Sequence, residues 1–201
     1  MSRSVRFYFD PICPWTWVTS RWVTELAKQG LVTVEWLPMS LSILNEGREV
    51  PEQFLIPMAA SKRALRVIAL LAKQSKGEKI ADFYTELGSG FFGVSNVDHM
   101  AVVDQALKGV RLDDLASELD NADHDVEVRA YHDRALSLAG PDVGSPILQL
   151  VDSGAAVYGP IIQSTPRGKD AADLFEHVSG IMDLGIVHEI KRGRTGPPTF
   201  G

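Results

Sequence analysis

The chain contains a single cysteine, Cys13, among its 201 residues. An internal disulfide therefore cannot form, and nothing in the cysteine content requires an oxidising compartment. Residues 1–9 enter a predicted strand without the apolar core and small-residue cleavage site of a signal peptide. We therefore expect a cytoplasmic protein.

Several other sequence features that would point to a function are missing. No apolar run approaches the roughly 18 residues that a membrane span requires. There is no Gly-rich phosphate loop, so nucleotide or flavin binding has no basis in the sequence. A net charge of −6 argues against a nucleic-acid partner. The five histidines include no pair with the spacing of zinc ligands, so no metal site is predicted.

The clearest local pattern is the segment Val5–Val23, which reads VRFYFDPICPWTWVTSRWV. The apolar alternation at its start predicts a strand that ends at Asp10–Pro11. Residues 14–29 then predict a helix, which tolerates Pro14 in its first turn. Cys13 therefore lies where a strand is followed by a helix N-terminus.

This position bears directly on the chemistry of Cys13. Unpaired amides and the helix dipole favour an anion at a helix N-terminus, and the thiolate is the nucleophilic form of cysteine. We therefore expect the pKa of Cys13 to lie below that of a free thiol, with rigid Pro14 and the flat ring of Trp15 beside it. The alternative is a buried structural cysteine, the more common role of a lone cysteine.

Thr16 occupies the place of the resolving cysteine in a dithiol motif. A hydroxyl cannot attack a mixed disulfide, but it can donate a hydrogen bond to the Cys13 sulfur and help to stabilise the thiolate. The alternative is that Thr16 is simply a residue of the first helical turn.

A second strand is predicted at 31–37, which completes a βαβ unit, and residues 39–51 resemble a loop. Residues 51–140 are predicted to be helical throughout. In this region Phe54 and Met58 are expected to extend the apolar stripe of the first long helix, and Gly88 and Gly90 to end a short helix that begins at Asp82. The acidic run 113–127 is expected to be a solvated helix face.

Strands return near the C-terminus, where 147–151 and 155–158 predict a hairpin before a final helix at about 168–184. The order βαβ, helices, ββα indicates an α/β protein with a thioredoxin-like fold and a helical insertion subdomain. The expected division is a thioredoxin-like domain formed by residues 1–50 and 141–201, and an inserted helical subdomain at 51–140.

The segment Val143-Gly144-Ser145-Pro146 directly precedes the first strand of this hairpin. A proline at the start of a strand leaves the preceding backbone free to contact something else. On the sequence alone an ordinary trans bond is expected, because only about 5–6% of X-Pro bonds in folded proteins are cis.

Several segments together closely resemble the mycothiol-dependent nitroreductase family of actinobacteria, and they extend over nearly the whole chain: FDPICPWTWVTSRWV, MSLSILNEGREVPEQF, DVGSPILQL, YGP and KRGRTGPP. These are DsbA-like thioredoxin-fold proteins, more distantly related to kappa-class glutathione transferases and 2-hydroxychromene-2-carboxylate isomerases. The resemblance implies that Ser145–Pro146 is cis and faces Cys13. It also implies that the Ser145 backbone meets an extended thiol ligand, that Trp15 and Asn45 belong to the thiol and substrate pocket, and that the insertion covers the site.

Two residues depart from the family pattern. Thr16 replaces the second cysteine of C-P-W-C, which puts disulfide cycling within the chain, and nitroreductase activity itself, in doubt. Phe54 replaces the tyrosine of P-E-Q-Y and so removes a hydroxyl from the lid.

The resulting hypothesis is a monothiol oxidoreductase that uses a low-molecular-weight thiol, with mycothiol as the first choice and Cys13 as the nucleophile. Cys13 forms a mixed disulfide that an external thiol or a redoxin resolves. The alternatives are a transferase or isomerase similar to the kappa-class relatives, and a non-catalytic protein that binds thiols or peptides. The sequence leaves the oligomeric state open, with a homodimer as one option.

Overall fold

The computed structural model describes residues 2–93 and 95–200. Four strands form one mixed sheet in the order β2–β1–β3–β4, where β1 is Arg3–Phe9, β2 is Val32–Pro38, β3 is Ile147–Leu150 and β4 is Ala156–Tyr158. β2 lies parallel to β1, whereas β3 is antiparallel to β1 and β4 is antiparallel to β3. β1 therefore has a neighbouring strand on each side, and Asp10 follows directly at its C-terminal end.

The helices of the described residues surround this sheet. In chain order they are α1 (Pro14–Lys28), α2 (Leu41–Leu44), α3 (Leu55–Lys73), α4 (Gly77–Phe92), α5 (His99–Gly109), α6 (Asp125–Ala139) and α7 (Gly168–Leu184). The helices α3 to α6 all lie between β2 and β3 in the chain. The predicted order βαβ, helices, ββα is confirmed, and the bounds of α7 are those predicted.

An aromatic cluster packs α4 against the sheet and against α1. Tyr84 of α4 stacks on Phe9 of β1 with ring centroids 4.0 Å apart, and its ring also meets Trp17 of α1 edge-on at 5.6 Å. Phe9 and Tyr84 are fully buried. Because offset stacking and edge-to-face contacts stabilise aromatic pairs, this cluster fixes α4 close to the start of α1.

The prediction that Gly88 and Gly90 end a short helix was wrong. α4 continues through both residues to Phe92. A Cβ at Gly88 would lie 2.1 Å from the ring of Trp17, and one at Gly90 would lie 2.6 Å from Val102. These glycines allow close approach of neighbouring elements, whereas the sequence pattern alone resembles a helix stop.

The expected apolar stripe does not extend to Phe54. This residue closes a short 3-10 turn before α3, and its side chain is 48% exposed. The buried positions of α3 begin only at Ala60 and include Leu65 and Ile68. Phe54 is therefore not part of the core.

The acidic run 113–127 is not simply a solvated helix face. It forms 3-10 turns and the start of α6, and two of its carboxylates pair with arginines of α3. Arg63 donates to Asp120 at 2.8 Å, and Arg66 donates to Asp125 at 2.7 Å. These ion pairs attach the run to α3.

Within residues 2–93 and 95–200, no helix combines the length and the apolar character that crossing a bilayer demands.

Candidate active site

Cys13 is the N-cap of α1, directly after the loop that ends β1. Its backbone is extended, Pro14 is the first helical residue, and the Trp17 amide donates to the Cys13 carbonyl at 3.0 Å. The Cys13 amide in turn donates to the carbonyl of Asp10 at 3.2 Å. The side chain is half-buried and forms no disulfide. The sulfur therefore lies at the predicted strand-to-helix transition and retains some access to solvent.

The loop before β3 faces this sulfur. The Ser145–Pro146 bond is cis, the geometry that the family resemblance implies. Cys13 Sγ donates to the carbonyl oxygen of Ser145 at 3.7 Å. The two segments are 132 residues apart in sequence, and the antiparallel pairing of β1 with β3 brings them together. A second cis bond, Gly159–Pro160, was not foreseen from the sequence.

Thr16 and Ser145 join the two segments through their hydroxyl groups. Thr16 is fully buried, and its Oγ1 donates to Ser145 Oγ at 2.9 Å. Ser145 Oγ also accepts a hydrogen bond from the Asp10 amide at 3.0 Å. The Thr16 hydroxyl therefore helps to fix the Ser145–Pro146 loop opposite Cys13.

The pKa of Cys13 differs from the expectation. Burial raises the pKa of the thiol above its ordinary value, and the nearby Asp10 carboxylate raises it further. Hydrogen bonds from the Thr16 and Trp15 amides lower this pKa, as does the Thr16 hydroxyl, which can turn from Ser145 Oγ to the sulfur when the thiolate forms. The expectation of easier ionisation was therefore wrong, because desolvation of the thiolate outweighs the helix N-terminus.

Asp10 belongs to the site, although the sequence pattern indicated only that a strand ends there. Its carboxylate is 1% exposed and accepts three hydrogen bonds: from the Ile12 amide at 3.0 Å, from the Leu41 amide at 2.6 Å and from the Ser61 hydroxyl. Burial raises the pKa of Asp10, while these donors lower it. A buried carboxyl with this set of donors ties β1, α2 and α3 to the loop that carries Cys13. An acidic residue three positions before the cysteine was the available signal.

Trp15 has a neighbour that the sequence did not predict. The guanidinium of Arg194, in the C-terminal tail, lies 4.5 Å from the centroid of the Trp15 ring. Tyr158 of β4 lies against the Ser145–Pro146 loop, because a Cβ built at Gly144 would be 3.3 Å from the ring and the hydroxyl of Tyr158. Both residues occur in segments that carry the family resemblance, YGP and KRGRTGPP, but neither was singled out.

Asn45 and Phe54 have no hydrogen bond or aromatic contact with the Cys13 loop among the described residues. The Asn45 side-chain amide donates to the Leu41 carbonyl at 2.8 Å, at the end of α2. Phe54 has an exposed ring. Their roles in the pocket stay predictions.

Metal ligands and the cleft described below add nothing to this site among the described residues. No group of three or more His, Cys, Asp or Glu side chains is arranged to hold a metal ion there. A cleft of about 290 Å³ lies between α4 and α5, and none of the predicted site residues lines it.

Solved structures resemble this chain in fold. The probable DsbA oxidoreductase SCO1869 from Streptomyces coelicolor superposes with a TM-score of 0.57 at 18% identity, with all of both chains covered. A candidate protein disulfide isomerase from Nitrosomonas europaea also gives a TM-score of 0.57, at 14% identity, over 90% of this chain and 99% of that one. At such low identity these likenesses concern the fold alone. They confirm the predicted thioredoxin-like, DsbA-like α/β fold.

Sequence comparison identifies the family. An uncharacterised Mycobacterium tuberculosis protein, Rv2286c, is 28% identical over 96% of this chain and 83% of its own length. The profile of the Rv2466c-like family, described as mycothiol-dependent nitroreductase Rv2466c, matches residues 12–192. That match includes the Cys13 loop, all the inserted helices and the Ser145–Pro146 turn. The chain therefore belongs to the Rv2466c-like family of mycothiol-dependent nitroreductases, and with it to the thiol-dependent oxidoreductases.

Proposed function

We propose that this protein is a cytoplasmic monothiol oxidoreductase that exchanges disulfides with a low-molecular-weight thiol, mycothiol in the first instance. Cys13 is the nucleophile, and the resolving thiol comes from outside the chain, either a second small thiol or a redoxin. A cytoplasmic location is part of the proposal because that compartment keeps small thiols and lone cysteines reduced.

One observation carries this proposal: the half-buried Cys13, the only cysteine, lies at the start of α1 with its sulfur 3.7 Å from the Ser145 carbonyl oxygen. The Ser145 backbone lies beside the sulfur, where an extended ligand bound through Cys13 would meet it. Family membership supports mycothiol as that ligand.

The exchange begins with the Cys13 thiolate and the disulfide of oxidised mycothiol. The thiolate attacks one sulfur, a bond forms between Cys13 Sγ and that sulfur, and the second mycothiol leaves as a thiolate with the electron pair of the broken bond. An external thiolate then attacks the mixed disulfide and releases Cys13. Each step exchanges one disulfide for another, so the electrons balance without a metal or a flavin.

The raised pKa of Cys13 affects both halves of this cycle. A smaller fraction of Cys13 is ionised at neutral pH, but thiolates of higher pKa are the stronger nucleophiles and the poorer leaving groups. The mixed disulfide at Cys13 should therefore be long-lived, since Thr16 cannot resolve it. This supports resolution by an external thiol.

The remaining predicted residues complete the proposed pocket. Pro14 holds the start of α1, Trp15 covers the ligand, and Ser145 with Pro146 aligns it. Asn45 and Phe54 contact the ligand from α2 and from the turn before α3. The helices of residues 51–140 form an inserted subdomain that covers the site, over a thioredoxin-like domain formed by residues 1–50 and 141–201.

The proposal is tested by intact-protein mass spectrometry after incubation with oxidised mycothiol. We expect one adduct per chain at Cys13 in the wild type, none in Cys13→Ser, and release of the adduct by a second thiol. Oxidised glutathione serves as the comparison ligand. An unmodified wild-type chain would contradict the proposal.

The Thr16→Cys variant tests whether the residue at position 16 makes the cycle depend on an external thiol. This substitution recreates the C-P-W-C pattern, so the mycothiol adduct should be replaced by an internal disulfide between Cys13 and the introduced thiol, with a loss of two hydrogens. Persistence of the adduct in this variant would contradict the proposed role of position 16.

A second candidate, a thiol transferase or isomerase, is favoured by the same raised pKa. A protonated Cys13 could donate its S–H to a bound cofactor thiolate without forming a disulfide. In that case Cys13→Ser retains activity, because a hydroxyl can make the same hydrogen bond. Loss of activity in Cys13→Ser supports the disulfide-exchange cycle.

A further inference from the structure

The surface beside Cys13 contains a cation that none of the steps above uses. The Arg194 side chain is exposed and lies over the ring of Trp15, two residues after Cys13. Among residues 2–93 and 95–200, no carboxylate lies within 4.0 Å of Arg194, which takes part in none of the ion pairs. No side-chain carboxylate of the described residues therefore balances its charge.

Tyr158 connects this cation to the Ser145–Pro146 loop. Its ring and hydroxyl lie against Gly144, as the 3.3 Å approach to a Cβ built there indicates. Burial raises the pKa of Tyr158 and the Cys13 thiolate raises it further, whereas Arg194 lowers it through its charge and a hydrogen bond. Tyr158 therefore lies against the Ser145–Pro146 loop that faces Cys13, and the charge of Arg194 acts on its hydroxyl.

The tail that carries Arg194 is attached to the body of the protein on its far side. The Thr199 amide donates to the Gln163 carbonyl at 2.8 Å. The ring of Phe200 stacks on Phe92 of α4, with centroids 5.2 Å apart. These contacts attach the end of the tail to the body of the protein, and the contact with Trp15 places Arg194 beside the start of α1.

We propose that Arg194 and Trp15, with Tyr158 beside them, form an anion subsite near Cys13, which binds a carboxylate or similar anionic substituent of a second disulfide reactant, distinct from uncharged mycothiol, that exchanges with Cys13. A guanidinium stacked on an aromatic ring keeps its in-plane N–H donors free, and those donors match a carboxylate. The chain has a net charge of −6, which repels an anionic reactant at long range. A local cation is therefore needed to favour such a reactant at this position.

This inference rests on the proposed role of Cys13 as the nucleophile, and it adds a charge requirement on the reactant. The Cys13 thiolate attacks a disulfide whose substituent lies on Arg194, one sulfur–sulfur bond replaces another, and the second half leaves as a thiolate. The subsite acts by orienting the reactant and by raising its local concentration.

The test compares two disulfide reagents in stopped-flow reactions with the only cysteine. Dithiobis(nitrobenzoate) is dianionic, whereas dithiodipyridine is neutral. In Arg194→Gln we expect the rate constant for the anionic reagent to fall by at least about threefold, with the neutral reagent little affected. The matched control is Arg192→Gln, which removes the same charge from the same tail and should leave both rate constants nearly unchanged.

A second measurement varies the salt concentration in the reactions of the wild type and of Arg194→Gln. If a local cation governs the encounter, added salt slows the wild-type reaction with the anionic reagent. In Arg194→Gln the long-range repulsion remains, so added salt should accelerate that reaction.

The outcomes separate the two proposals. Equal losses with both reagents, no loss with either, or the same loss in Arg192→Gln would overturn the anion subsite and leave Cys13 as the nucleophile. A Cys13 that reacts with neither reagent in the wild type would overturn both proposals.

Discussion

The Ser61 hydroxyl of α3 donates to the buried carboxylate of Asp10, the residue that follows β1. This contact joins the first inserted helix to the loop that carries Cys13. The Asp10 carboxylate is also held by the Leu41 amide, at the start of α2. One buried carboxylate thus connects α2 and α3 to the loop between β1 and Cys13.

The Asp10→Asn substitution should lower both the stability and the pKa of Cys13. An asparagine amide nitrogen cannot accept from the Leu41 amide, and leaving a buried donor unpaired costs about 1–3 kcal/mol. The Asp10 charge raises the pKa of Cys13, so its removal should lower that pKa. Urea unfolding and the pH dependence of iodoacetamide alkylation measure the two effects.

Ser61→Ala is the matched control, because it removes one donor to Asp10 and keeps the charge. It should reduce stability without lowering the pKa of Cys13. A lowered pKa in both variants would show that packing around the carboxylate, and not its charge, acts on the thiol.

The Thr16→Val substitution should raise the pKa of Cys13. Valine preserves the volume of this fully buried residue but removes the hydroxyl whose hydrogen bond lowers the thiol pKa. Loss of the bond to Ser145 Oγ should also cost about 1 kcal/mol of stability. Alkylation of the only cysteine as a function of pH reports the first effect directly. The control Thr24→Val, on the same helix, should leave the pH dependence of alkylation unchanged.

The Gly88→Ala substitution should destabilise the protein by about 1–3 kcal/mol, because the new methyl group would overlap the buried ring of Trp17. Gly180→Ala on α7 is the control, since a Cβ there meets nothing within 4 Å. It should instead stabilise its helix by up to about 1 kcal/mol. Thermal unfolding compares the two variants. Equal effects would mean that Trp17 moves aside.

The ion pair between Arg66 and Asp125 should make stability depend on pH in the acid range. The hydrogen bond from Arg66 lowers the pKa of Asp125 from 3.8 to about 2. A carboxyl whose pKa is lower in the folded state stabilises it above the unfolded value, so this contribution is lost as the pH falls from 3.8 through about 2. Because Asp125 is about a third exposed, solvent screening limits the effect to roughly 1 kcal/mol.

Urea unfolding at several acid pH values measures this dependence. Asp125→Asn should flatten it and should destabilise the protein near neutral pH, since Arg66 is 9% exposed and loses its partner. Asp114→Asn, at an exposed position in the preceding 3-10 turn, should retain the wild-type slope. An unchanged slope in Asp125→Asn would assign the acid sensitivity to other carboxyls.

The sequence was informative wherever the physical signal is local. Pro14 after an alternating strand located the start of α1 and hence Cys13, and the apolar period of 168–184 located α7. Thr16 in place of a cysteine was visible directly and led to the proposal of a monothiol mechanism. The family resemblance added the cis Ser145–Pro146 bond, which residue pattern alone did not support.

The environment of the sulfur was decided only by tertiary structure. Burial of Cys13 and the charge of Asp10 raise the thiol pKa, and both depend on packing between distant segments. Arg194 contacts Trp15 although most of the chain separates the two residues in sequence. Gly88 allows the ring of Trp17 to approach α4 closely, whereas the local sequence pattern indicates a helix end there. Periodicity, proline and glycine report the conformation of neighbouring residues, whereas desolvation and charge depend on what the folded chain brings together.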